Sequence, residues 1–301
     1  MAEQLLKLFS KDIQKNLFPS SEFYKNSKLD GGINVKAATV EVPQSGALPT
    51  VNVNPSSFPL SVGSRVDSVI SYNVDLLATD PIAIQDLNEV VTNYNKRADI
   101  LGDHIKVLNK HAADRIAFSW APTLAAQISR TTGAADATAL APGATGTRKV
   151  LTLNDIIDLA GKFDTDDVME DDRYMLVDAR MYKQLLKIDA FINVDYVNNK
   201  PTVSGQVGEI FGMKVFKRSS AVNFTTAAVK KQLTAATAIT DNLGIVAWSP
   251  SYVRRGEGTA GVYMDTKSPL YLGTVLNAAV RAGGTFGRED QKGVYALVQE
   301  A

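Results

Sequence analysis

Apolar or small residues return at alternating steps of three and four from Ile84 through Leu87, Val91, Tyr94, Ala98, Leu101, Ile105 and Leu108 to Ala112, the spacing that gathers one face of an α-helix. Asp80, whose carboxylate can accept the free N–H groups of a first turn, and Pro81, whose missing N–H costs nothing there, predict its start. Only Gly102 interrupts the pattern. From Pro81 to about Phe118 such a helix is roughly 55 Å long at ~1.5 Å per residue. A compact ball of 301 residues has a radius of gyration near ~19 Å and is about 50 Å across. A helix spanning the whole fold implies a flat or elongated molecule, with much surface left for neighbours to cover.

The charge balance points the same way. Lys plus Arg and Asp plus Glu both number 32, so nothing in the whole-chain charge favours coating a nucleic acid or a membrane surface, and neutrality lowers the barrier to self-association. With no cysteine there are no disulfides, thiolate metal sites or cysteine nucleophiles. No stretch approaches ~18 consecutive apolar residues, and Met1 to Ser20 carries lysines through a helical pattern in place of a signal-peptide core; the chain is expected to be soluble, with no membrane partner.

Ahead of the long helix lie two segments that need a surface. Residues Ala2 to Leu17 read as a short amphipathic helix, with Leu5, Leu6, Leu8, Phe9, Ile13 and Leu17 apolar; it packs on its own domain or serves as an arm on a neighbour. From Lys36 to Tyr72 the pattern turns to β-like alternation, with Val40 and Val42, Val51 and Val53, then Ile70 and Tyr72, broken into edge-type pieces by Pro43, Pro49, Pro55 and Pro59. Val42 to Ser64 holds no charged residue. A two-stranded hairpin is marginal alone, so one carrying Phe58, Leu60 and Val62 must lie against its own domain or, the reading favoured here, reach over a second copy. The residues expected at such a contact are Val51, Val53, Phe58, Leu60, Val62 and Arg65, joined by Leu5 and Phe9.

Beyond the helix, Ala134 to Thr147 reads as a loop. Thr152 with Asp155 predicts a capping box and a helix. Tyr174 to Val177 reads as a strand, Ala179 to Phe191 as a helix, Ile210 to Phe216 as one strand; Gly244 to Trp248, Tyr271 to Arg281 and Val294 to Val298 follow as strands. The order is mixed α+β without a βαβ repeat.

Candidate chemistry is thin. His104 and His111, seven apart on the helix, lack the i, i+4 spacing of helical metal ligands, and are read as partly exposed. Asp164, Asp166, Asp167, Glu170, Asp171 and Asp172 crowd one stretch, yet Met169 and Leu176 occupy the sixth and twelfth places where an EF-hand needs Gly and a carboxylate; a solvated acidic turn is the better reading. Gly205, Gly208 and Gly212 do not form a phosphate-binding loop, and Gly283, Gly284 and Gly287 read as turn glycines before a last strand. No G-x-S-x-G is present, and Lys230 with Lys231 is too small a patch for nucleic-acid binding. No catalytic residue, metal or cofactor is expected, and the chain is not expected to be an enzyme. A coiled-coil adaptor built on the long helix is a rival reading and an unrecognised hydrolase a more distant one.

The order of these parts resembles a known family. A helical arm, an extended loop with Val42-Pro-Gln-Ser-Gly-Ala-Leu-Pro, Asp80-Pro81 opening a long helix, the strand-helix segment Arg173-Tyr-Met-Leu-Val-Asp-Ala-Arg-Met-Tyr-Lys-Gln-Leu-Leu and the glycine-punctuated Gly205-Gln-Val-Gly-Glu-Ile-Phe-Gly-Met-Lys-Val are similar to the major capsid protein of tailed phages, the Hong Kong 97 fold. Asp265-Thr-Lys-Ser-Pro-Leu-Tyr-Leu-Gly-Thr-Val-Leu and Gly284-Thr-Phe-Gly-Arg-Glu-Asp are similar to its ending. The resemblance implies an N-terminal arm over 1–30, an extended loop over 31–73, a peripheral domain with the spine helix over 74–122 and 262–301, and an axial domain over 123–261. It further implies homo-hexamers and pentamers of an icosahedral shell around a phage dsDNA genome touched without sequence specificity, assembled in the host bacterial cytoplasm. A portal and a separate scaffolding protein are the implied partners. A nanocompartment shell of encapsulin type is the alternative. Some members cross-link through a lysine in the extended loop; here no lysine lies between Lys36 and Lys96, so no such bond is expected.

Overall fold

A computed structural model of the chain describes residues 22–30, 39–46, 50–54, 56, 58–60, 62, 64–85, 96–170, 172–188, 206–232, 235–258 and 260–301. The expected helix over Ala2 to Leu17, with Leu5 and Phe9, lies outside them. In chain order the elements are α1 (Glu22–Lys25), β1 (Lys28–Leu29), β2 (Thr39–Gln44), β3 (Ser68–Asn73), β4 (Asp75–Ala78), β5 (Ile82–Gln85), α2 (Lys96–Trp120), β6 (Ile128–Arg130), β7 (Ala135–Asp136), β8 (Arg148–Lys149) and α3 (Leu153–Thr165). There follow β9 (Arg173–Asp178), α4 (Ala179–Leu185), β10 (Gln206–Ile210), β11 (Met213–Arg218), β12 (Asn223–Phe224), β13 (Asn242–Trp248), β14 (Val253–Glu257), β15 (Gly261–Ser268), β16 (Gly273–Phe286) and β17 (Val294–Val298).

One sheet runs β10-β11-β9-β13-β17-β6, with β12 also on β13. Its central strands β9, β13 and β17 are buried along their whole length, so both faces must be covered. Alternation assigns the faces: Ile245 and Ala247 join Met175, Leu297 and the α3 residues Ile156, Leu159 and Phe163 on one side, while Val246 and Trp248 join Leu176, Val298 and Trp120 on the other. Thr152 caps α3 as expected: its hydroxyl accepts from the Asp155 N–H and the Asp155 carboxylate accepts in return.

The second sheet is a limb. β16, 14 residues long and so about 46 Å at ~3.3 Å per residue, pairs along one edge with β14 and then β15, and along the other with β4 and then β5. The 25 residues of α2, about 37 Å long at ~1.5 Å per residue, pack along it. Elongation is therefore shared between a helix and a strand. Asp80-Pro81 does not open the helix: the next residues, Ile82–Gln85, form β5 on Gly273–Leu276. Ile84, which fits the helical period, is buried as a strand residue, because a ladder to a long neighbouring strand outweighs local periodicity. Leu87, Val91 and Tyr94 lie outside the described residues.

Three further differences have local causes. The strand expected over Ile210 to Phe216 is a hairpin, with Ile210 opposite Met213 and Phe211 and Gly212 both at positive φ (47° and 72°), the backbone of a tight two-residue turn. Gly283 and Gly284 lie inside β16, where a Cβ would stand 2.5 Å from the Asn73 carbonyl oxygen and 2.9 Å from Trp120 Nε1 respectively; they serve close packing. β17, placed by expectation with the spine helix in the peripheral unit, pairs with β13 and β6 in the other sheet.

Sheets and limb meet at an aromatic knot. Phe23, Trp120 and Trp248 have ring centroids 5.3 to 6.1 Å apart. Trp120 Nε1 donates to the Arg254 carbonyl at 2.9 Å and Trp248 Nε1 to that of Asn26 at 2.8 Å, so both indole donors are satisfied where they are buried.

Candidate functional site

The hairpin expected between Lys36 and Tyr72 forms from its base upward. β2 and β3 pair antiparallel with Val42 opposite Ile70 and Val40 opposite Tyr72, which puts four side chains on one face; with Val74 they make a small separate core. The root is fixed by polar contacts. The Tyr72 hydroxyl donates to Asp30 Oδ2 at 2.7 Å, and Arg254 Nη1 donates to Asp30 Oδ1 at 2.6 Å. Burial, reinforced by the Asp30 carboxylate, pushes the Tyr72 phenol up, so it stays a donor. Above the root, the Gly46 N–H and the Arg65 Nε–H both reach Asp67 Oδ1, at 2.8 and 2.7 Å, and together hold that carboxyl below the usual range, the Gly46 bond first. Gly46 has to be glycine, since a Cβ would stand 2.2 Å from the Val66 carbonyl oxygen.

Beyond this neck the apolar side chains meet solvent. Val51 is 84% exposed, Val53 equally open, Phe58 77% and Val62 98%; Leu60 is the least open at 45%. The five apolar hairpin residues expected at a contact are thus free to make one. Arg65 is spoken for, paired with Asp67 inside the hairpin. Val66 is exposed as well. A second open patch, Leu270, Tyr271 and Leu272, forms the turn between β15 and β16; its signal in the sequence is three apolar residues in a row between Pro269 and Gly273.

The other candidates fare differently. The acidic stretch is a set of separate pairs: Asp164 with Arg173 at 2.8 Å, Asp172 with Lys214 at 2.9 Å, and Asp166 with Lys292 at 3.0 Å and the Tyr295 hydroxyl at 2.6 Å. Asp164, Asp167, Glu170 and Asp172 are exposed and only Asp166 is half-buried, as a solvated acidic turn requires, so these pairs add little; Asp171 lies outside the described residues. Among the described residues no group of three or more His, Asp or Glu side chains is placed to hold a metal. His104 is buried and His111 exposed, both beside a cleft of about 520 Å³ between α2 and the β4–β5 segment. Burial pushes the His104 imidazole below its ordinary pKa, with Asp103 opposing. Lys230 donates to the carbonyls of Phe118, Ser119 and Ala121, closing the last turn of α2. No described helix is long and apolar enough to cross a membrane.

The chain resembles solved shells over nearly its whole length. It aligns with the capsid of the cyanophage P-SCSP1u at a TM-score of 0.66 and 16% identity, covering 91% of this chain and 87% of that one. The fold is the Hong Kong 97-like capsid fold. This α+β capsid fold is shared with the capsid of Ralstonia phage GP4, at a TM-score of 0.62 and 12% identity over 93% and 91% of the two chains. It is shared also with a virus-like particle from Pyrococcus furiosus, at 0.57 and 10% over 97% and 99%. Residues 113–258 match the family model described as phage capsid protein. No curated protein matches by sequence.

Proposed function

We propose that this chain is the repeating coat subunit of a phage head, closing as pentamers and hexamers into an icosahedral shell around double-stranded DNA, and that the hairpin tip is seated on a neighbouring copy. The observation that carries the reading is the run Val51, Val53, Phe58, Leu60 and Val62, left in water above a hairpin root that is itself firmly tied down. Five exposed apolar side chains within one short segment mark a contact. Each side chain buried there contributes about 1.5 to 3 kcal/mol, against a docking cost on the order of 4 to 15 kcal/mol for one subunit. One seat is therefore weak, and several seats per subunit make assembly cooperative while misplaced copies can still leave.

Whole-chain neutrality supports a shell filled after assembly, with non-specific DNA contact; the same reading includes assembly in the host cytoplasm, a portal and a separate scaffolding protein. A protein compartment with the same fold is the second reading, favoured by the end-to-end match to the Pyrococcus furiosus particle. The test is electron microscopy of the purified chain, with nucleic acid measured in particles from the native source. Closed shells carrying DNA support the first reading, closed shells carrying protein the second, and a discrete small oligomer with no shell overturns both.

A further inference from the structure

The positive charge of this chain is unevenly committed. Most described cations have a fixed partner: Arg173 pairs with Asp164, Arg218 with Asp114 and Arg254 with Asp30, while Arg148 and Lys230 donate to backbone carbonyls. Around α4 this changes. Lys183 and Lys187, four residues apart, stand on one side of the helix and of the turn that continues it, where the Leu186 and Lys187 N–H groups still bond back to the Tyr182 and Gln184 carbonyls. Both lysines are exposed. On β11 the Lys217 ammonium lies 5.1 Å from the centroid of the Tyr182 ring, a contact that leaves its charge in place. On β8 Lys149 alternates with the buried Arg148 and so points outward. Gln184 Oε1 accepts from the Leu151 N–H at 3.1 Å, which lays this strand end against α4.

None of these four lysines forms an ion pair with a described carboxylate. Acidic groups beside them are held elsewhere: Glu300 pairs with Arg130 at 3.4 Å, and Asp136, which senses Lys187, accepts from the Thr138 hydroxyl at 2.8 Å. Lys183, in the last turn of α4, also complements the helix dipole, which accounts for one lysine of the four.

The surroundings decide what such a group can recognise. The apolar side chains of α4, Met181, Tyr182 and Leu185, are buried against the sheet, so the surface offers a partner charge without an apolar centre. A protein interface is built around such a centre; a polyanion held through its phosphates needs none. Lysines, mobile point charges without the fixed fork of arginine, suit contact that is indifferent to base sequence. The helices α4 and α3 cover the side of the sheet opposite the Trp120 knot that joins the limb. There α3 exposes Ile157 and Asp158, so the positive field stays with α4 and its flanks.

We propose that Lys149, Lys183, Lys187 and Lys217 form the surface by which the coat subunit touches packaged double-stranded DNA, which puts the α4 side of the sheet on the inside of the shell. The inference rests on the coat-subunit reading above and adds the face that meets the genome. Neutralising three or four phosphates per subunit gives a slope of log K against log salt of about −3 to −4, or roughly 40- to 150-fold between 50 and 200 mM salt. Each contact is weak and screened, so a duplex can slide along the wall during filling, and many copies together hold it once inside.

The test uses unassembled subunits, a fluorescent duplex of mixed sequence and anisotropy titrations at several salt concentrations. The fourfold variant Lys149→Gln, Lys183→Gln, Lys187→Gln, Lys217→Gln is expected to bind at least about tenfold more weakly at low salt and to flatten the salt slope towards zero. The control Lys25→Gln, Lys28→Gln, Lys106→Gln, Lys110→Gln removes the same charge from exposed positions on α1, β1 and α2 and should stay within about twofold of the parent. A control weakened as much as the α4 variant, or an α4 variant that binds like the parent, would overturn the proposal. So would tighter binding of polyglutamate than of duplex, which would assign the lysines to an acidic polypeptide. Electron microscopy of the same proteins keeps the two readings apart. The α4 variant should still build shells, and its failure where the parent succeeds would make the lysines a contact between copies and overturn the proposal. A parent that builds shells yet binds no duplex overturns this proposal alone, whereas a parent that builds none overturns the coat reading first.

Discussion

Replacing Phe58 by Asp separates folding from assembly. In the isolated subunit Phe58 is 77% exposed, so its contribution to the fold is small and the substitution should move thermal stability by no more than about 0.5 kcal/mol. Complete burial of a phenylalanine is worth about 1.5 to 3 kcal/mol, and closing the remaining three quarters on a neighbour about 1 to 2 kcal/mol of that. A carboxylate left without a partner in the same seat adds a penalty of about 1 to 3 kcal/mol. The sum, about 3 kcal/mol per contact, corresponds to roughly a hundredfold rise in the concentration at which particles appear, at 1.4 kcal/mol per factor of ten. The assay is a concentration series of purified subunit followed by sedimentation and electron microscopy, with a thermal melt of each sample. Phe58→Leu, which keeps an apolar side chain, should assemble within a few-fold of the parent. Particles of Phe58→Asp at the parental concentration would refute the seat of the hairpin on a neighbour, and a large fall in melting temperature would mean that Phe58 belongs to the fold itself.

The remaining expectations concern the fold that holds this surface. Phe211→Asn should stabilise the chain by about 1 kcal/mol, because asparagine tolerates the left-handed backbone that Phe211 adopts at φ 47°; an unchanged or lower urea midpoint would contradict this. Gly283→Ala should destabilise by about 1 to 3 kcal/mol, its Cβ meeting the Asn73 carbonyl 2.5 Å away at the hairpin root, and a thermal melt equal to the parent would rule the close approach out. Burial, with Arg115 nearby, pushes the Lys230 amine down to about 8 from its ordinary 10.5. The unfolded chain then holds more protons between those values, so stability should climb as pH rises from about 8 to 10.5. Lys230→Met should lose that climb in paired urea titrations, and parallel curves would refute the assignment.

Local chemistry was legible where the residues carried an unambiguous signal. Thr152 and Asp155 cap each other within four residues, and Val294 to Val298 is an uninterrupted apolar strand, so both appear where expected. Two of the errors fall where a distant partner decides. Ile82–Gln85 becomes a strand because Gly273–Leu276 lies beside it. Gly283 and Gly284 look like turn residues until Asn73 and Trp120 are seen pressing on them. At Phe211 the tight turn lacks the Asn-Gly signal that normally announces it, and Ile-Phe-Gly-Met reads as one strand.

The hairpin tip was legible for a different reason. Val42 to Ser64 carries no charge, so its need for cover follows from composition alone, and the fold confirms only that its own chain leaves Val51, Phe58 and Val62 bare. The neck shows why such a surface is carried on a rod instead of a loose loop. Tyr72, Asp30 and Arg254 tie the root to the limb, and Asp67 gathers the Gly46 N–H and Arg65 just below the tip. A loose loop would have to be ordered at each docking, at about 1 to 2 kcal/mol per residue fixed, and would consume much of what its apolar side chains return. Holding both strands in register below the tip confines that cost to the tip itself, so five modest contacts would suffice for the proposed seat.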